Sequence, residues 1–131
     1  MEDKVSMLAL DIPTEPYWID LPRGVRVEIR PVTTAVVAAA QAAAQRCMAA
    51  LREADAKMDP DLARGLAFAF LVKALARHAV TAWDGVGDAT GTPLPLSPEA
   101  VERLMDLDEM ASAFFDKALI PMRKVAAEGN A

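Results

Sequence analysis

This chain of 131 residues has one cysteine and one histidine. With Cys47 alone, no internal disulfide can form, which suits a reducing cytoplasm. With His78 alone, there is no second imidazole to complete a zinc set or a paired acid–base site. Basic clusters are also missing. Lys and Arg total 14 against 19 Asp and Glu, for a net charge of −5, and no basic block is longer than two residues. Nucleic-acid binding needs a basic stripe to displace counterions, so none is expected. Long apolar runs are absent too. Gly65–Val72 is closed by Arg64 and Lys73, and Pro31–Gln45 is mostly Ala, Thr and Val with two Gln. A spanning helix needs about 20 strongly apolar residues, so no membrane span is expected. The opening MEDKVSMLALDIP puts acids before a short apolar stretch and does not read as a signal peptide. Aromatics make up 5% of the chain and there are six glycines, three of them at 85, 87 and 91.

Alanine is abundant, at 27 residues. It is the best helix former because it loses no side-chain entropy. The 53% apolar content therefore points to helices, with an ordinary complement of larger core residues. The length suits one domain.

Residues 1–15 read as a flexible N-terminal arm. A single domain is expected over 16–127, followed by a tail at 128–131. Within 17–31, Val25, Val27 and Ile29 alternate with Arg26, Glu28 and Arg30, which puts the apolar residues on one face of a strand. With Tyr17–Ile19 and a turn at Pro22–Gly24, this predicts a β-hairpin, which must pack on helices to be stable. A helix over about 34–55, capped by Thr33 or Thr34, carries Val36, Val37, Ala40, Ala44, Cys47, Met48 and Leu51 on one side. Asp59-Pro60 starts a second helix over about 60–80, apolar nearly all round and expected to be the buried centre through Phe68, Phe70, Leu71 and Leu75. Residues 82–97 hold three Gly and two Pro, so they form a turn region and at most a small second hairpin. Ser97-Pro98-Glu99 opens a short helix over 98–106. A last helix over 108–124 should be kinked or shortened by Pro121. Trp18 and Trp83 are expected to wall the core. The fold class expected is α+β, mainly α: an N-terminal β-hairpin packed on a bundle of about four helices.

The chemistry-bearing residues give weak constellations. His78 reads as a helix C-terminal histidine. Cys47 lies deep in an Ala-rich helix, away from the helix start that lowers a thiol pKa, and reads as a partly buried core thiol. If Asp84 opened a calcium loop, Val86 and Pro95 would fall at ligand positions, so that motif fails. Gly85-Val86-Gly87 lacks the third glycine of a dinucleotide fingerprint. Asp106, Asp108 and Glu109 suit the start of a helix. No catalytic residue, cofactor site or metal site is expected, and the chain is not expected to be an enzyme. Met105, Met110 and Met122 share the C-terminal third with Phe114, Phe115 and Leu119. Methionine repacks easily, so these six residues form a candidate partner-binding face.

One segment carries a resemblance. Trp83-x-Gly85-Val86-x-Asp88-x-x-Gly91-x-Pro93-Leu94-Pro95-x-Ser97, continuing to Val101 and Leu104, resembles small tail proteins of long-tailed bacteriophages and prophages, the tail assembly chaperones. The resemblance implies a non-enzymatic protein of the bacterial host cytoplasm. Such a protein binds the long helical tape-measure protein, aids recruitment of tail-tube protein, and self-associates along its partner. Helix-in-groove packing would cover the apolar stripes of the tape-measure helix. The alternative is a minor structural phage protein, a head–tail connector or tail component retained in the particle.

Overall fold

The computed structural model describes residues 7–129, with side chains described up to Pro121. Strand β1 (Tyr17–Asp20) and strand β2 (Arg26–Ile29) form the expected antiparallel hairpin. Its turn is a single 3₁₀ turn, Pro22–Gly24. Arg23 (φ 62°) and Gly24 (φ 76°) both take left-handed conformations there. Leu21 N–H bonds the Val25 carbonyl at 2.7 Å and closes the hairpin. As the alternation required, Val25, Val27 and Ile29 are buried.

Helix α1 (Thr34–Ala54) is capped by the Thr33 hydroxyl, which accepts from Val36 N–H. Helix α2 (Pro60–Ala79) is capped by Asp59, which accepts from Leu62 N–H at 3.0 Å. Both starts follow from a side-chain oxygen satisfying an orphan amide. Helix α3 (Pro98–Leu104) opens on Ser97, whose hydroxyl accepts from Ala100 N–H at 3.1 Å. Helix α4 (Asp108–Gly129) runs through Pro121 and past the expected end near Lys124. Proline there withholds one N–H from the Lys117 carbonyl, and the Ala-rich turns beyond it keep the helix going.

The sequence reading missed strand β3 (Val80–Asp84). It pairs antiparallel with β2, with Val27 opposite Trp83 and Glu28 opposite Ala82, and a register shift at Glu28/Ile29. The sheet order is β1-β2-β3. The Val80-Thr81-Ala82-Trp83 run has strand chemistry, but it joins α2 with no intervening turn residue. Val80 N–H still bonds the Ala76 carbonyl. The possible second hairpin in 82–97 reduces to one bridge, Gly87 to Pro93.

Helix α1 packs on α2, which also touches α3 and α4, and the sheet lays one face on this bundle. The largest fully buried side chains are Phe114, Ile29, Met110, Val27, Val32 and Val72. The core centre is therefore displaced from the one expected. Of Phe68, Phe70, Leu71 and Leu75, only Leu75 is buried, and Phe68 is 39% exposed. The centre lies where α4 and the sheet meet the second half of α2, so the first half falls outside it. Trp18 is also misplaced by the sequence reading. Strand parity sends Ile19 into the core and Trp18 outward, where it is 41% exposed. There the Arg26 guanidinium stands 5.1 Å from the centre of the indole ring. Trp83 is half-buried against the core, as expected. Cys47 is exposed rather than partly buried. The buried face of α1 runs Ala40, Ala43, Ala44 and Met48, and Cys47, one turn after Ala43, lies where less of that face is covered. Among the described residues, no helix is long and apolar enough to cross a membrane.

Candidate functional site

Of the six residues of the expected partner-binding face, Met105, Met110 and Phe114 lie in the chain's own core, with Phe114 fully buried. The first turns of α4 direct Met110 and Phe114, one helical repeat apart, into the space beneath the sheet. Phe115 is half-buried and stacks edge-on against Phe68 of α2, with ring centres 5.4 Å apart. Leu119 is half-buried and lines a cleft near the start of α1. Met122 is on α4, but its side chain lies outside the described residues.

An incompletely covered apolar surface lies elsewhere, on the first half of α2. Leu62 is 56% exposed and Phe68 39%, while Leu66, Phe70 and Leu71 are only half-buried. A helix that is apolar all round is ordinarily covered all round. This one is covered over its second half, where Val72, Ala74, Leu75, Ala76 and Ala79 are buried. The second half also carries ion pairs across the bundle, Lys73 with Asp106 at 2.7 Å and Arg77 with Glu102 at 3.1 Å.

The Trp83–Ser97 segment folds as a loop whose polar groups bond one another. Trp83 Nε1 donates to the Leu94 carbonyl at 2.8 Å. Leu94 N–H donates to Val86, and Asp88 N–H to Thr92. One Asp88 carboxylate oxygen accepts from the Thr90 hydroxyl at 2.6 Å and from the Thr90 and Thr92 amides. These bonds, the Thr90 hydroxyl first, hold the Asp88 carboxyl below its ordinary value of 3.8. Gly85 (φ 86°) sits against the hairpin turn, so a Cβ there would stand 2.5 Å from the Gly24 carbonyl oxygen. The conformation and the close approach both require glycine.

The structure does not gather the other chemistry-bearing residues. His78 and Asp84 are both exposed, near the two ends of β3. Asp106 pairs with Lys73, and Glu109 pairs with Arg23 of the hairpin turn. Among the described residues, no three of His, Cys, Asp and Glu are placed to hold a metal ion. The Tyr17 hydroxyl is buried without a partner, and burial pushes its pKa up from 10.0.

A family model described as YdaY prophage protein matches residues 33–129, from the cap of α1 to the end of α4. The chain belongs to the YdaY prophage protein family. No curated protein and no solved structure matches it. The expectation of a phage or prophage protein therefore holds. The YdaY match takes in the whole of α2 and its incompletely covered half, while the arm, β1 and β2 lie before it.

Proposed function

We propose that this YdaY-family chain is a non-enzymatic tail assembly chaperone that binds an amphipathic helix of the tape-measure protein and aids assembly of the tail tube around it. The observation that carries the reading is the incompletely covered first half of α2. Leu62, Leu66 and Phe70, at successive four-residue spacings, lie on one face of a helix that is anchored by its second half, and that face is incompletely covered. Exposed apolar patches of this kind mark interaction surfaces, and a partner helix is the chemistry that fits one. Fully burying an exposed Leu side chain contributes up to roughly 1.5–3 kcal/mol, and Leu62 has the most left to bury. The prophage family supports a phage role, and the Trp83–Leu104 resemblance is the reason for naming the tape-measure helix as the occupant.

The test is co-expression with the tape-measure protein of the same prophage, followed by pull-down. Leu62→Asp and Leu66→Asp should each abolish co-purification, and Leu62→Asp should leave helicity and melting nearly unchanged, because its side chain is more than half exposed. Met110 and Phe114 are unsuitable for this test, since charge at either position would break the core. Binding retained in both variants removes α2 as the docking surface. No binding by the wild-type chain removes the chaperone reading. A fixed copy number in purified particles would instead identify a retained structural component.

A further inference from the structure

The two most exposed large apolar side chains among the described residues, Met7 and Leu10, belong to the arm. Met7 is 80% exposed, Leu10 76% and Leu8 55%. Asp11 N–H bonds the Ala9 carbonyl at 2.9 Å, a tight turn with Leu10 at its centre, and Ile12 beyond it is half-buried. A cleft of about 330 Å³ opens beside the start of α1, lined by Val32, Val37, Ala38 and Leu119, with Gln41 among its polar groups. The charges are complementary. Residues 1–16 carry Glu2, Asp3, Asp11 and Glu15 against Lys4, for a net charge of −3. Residues 17–46, which build the hairpin and most of the cleft, carry Asp20 and Glu28 against Arg23, Arg26, Arg30 and Arg46, for a net charge of +2 in a chain of net −5. Arg30, two residues before Val32, is exposed. Among the described residues, Arg30, Asp11 and Glu15 form no ion pair.

We propose that the N-terminal arm of one copy docks in the α1–α4 cleft of a second copy, so that the chain self-associates by arm exchange. Tyr17 pairs with Ile29, which places the root of the arm close to Val32 and the cleft. Met7, Leu8 and Leu10 nevertheless remain exposed in the single chain. Pro13 and Pro16 restrict the backbone at its root. An exposed apolar arm rooted beside an apolar cleft is a geometry that permits reciprocal exchange about a two-fold axis. The inference rests on no part of the tail-assembly reading, because the arm and the cleft are separate from Leu62 and Leu66.

The test uses the full chain with exposed Cys47 changed to Ser. Leu10→Cys and Ala38→Cys are made in separate proteins, mixed and gently oxidised. A disulfide-linked heterodimer, formed faster than with Glu99→Cys in place of Ala38→Cys, is the expected result. In the otherwise native chain, Leu10→Asp should weaken self-association in sedimentation equilibrium by at least about tenfold. Two results overturn the proposal. One is a heterodimer no faster than the Glu99 control. The other is a double variant, Leu10→Cys with Ala38→Cys, that closes only within one chain, which would make the arm a strap over its own cleft.

Discussion

Asp88 shows how one carboxylate holds a loop together. It organises the Thr90 and Thr92 backbone, and these bonds depress its pKa below 3.8. A depressed folded-state value gives stability that is complete above the unfolded value and lost as pH falls through the folded one. The loop should therefore loosen only in acid below that point, and Asp88→Asn should remove this acid dependence. Following the Asp88 carboxyl by NMR as pH falls checks the sign. A midpoint at or above 3.8 contradicts the bonding. Turn chemistry at Asp88 and Gly91 was legible in the sequence because the rule is local. The burial of Phe114 and the exposure of Phe68 were not, because both depend on which helix lies under the sheet.

At the scale of elements, the helix starts were legible because their signals are short. Thr33, Asp59-Pro60 and Ser97-Pro98 each cap the helix they precede. Strand β3 was hidden by its continuity with α2, since a Val-Thr-Ala-Trp run after an apolar helix offers no boundary residue. Its position makes a prediction. Gly85 ends β3 against the hairpin turn, and Gly85→Ala brings a methyl group onto the Gly24 carbonyl. The left-handed backbone alone costs about 1–2 kcal/mol for a residue with a Cβ, and the contact adds to it. The variant should unfold at lower denaturant concentration than wild type, with β2 and β3 amides exchanging faster. Gly24→Ala, also at positive φ but with open space around its Cβ, should cost less.

For the whole molecule, the core beneath the sheet and the incompletely covered half of α2 have different roles. Phe114→Ala should destabilise the chain by about 3–5 kcal/mol, the usual cost of deleting a buried ring. Phe70→Ala, on the half-buried part of α2, should cost clearly less in the same denaturation experiment. The mainly helical α+β class was legible from alanine content and hydrophobic period. The division of α2 into a covered and an incompletely covered half was not, because periodicity reports which residues are apolar and not what covers them. The same limit applied to the candidate site. Phe115 keeps a half-exposed edge against Phe68, while Met105, Met110 and Phe114 turned inward.

The third strand also sets an order of events. Thr81 reaches Glu28 across 53 residues of chain, through its hydroxyl and both the carbonyl and carboxylate of Glu28. The β1–β2 hairpin is local and closes cheaply, and α1 and α2 are local as well. The β2–β3 pairing requires closure of a long loop before any of its hydrogen bonds form. Sheet completion is therefore a late step, taken once the α1–α2 hairpin has brought Val80 back to Ile29. Until then the newly made chain carries a two-stranded ribbon whose β2 edge is unpaired.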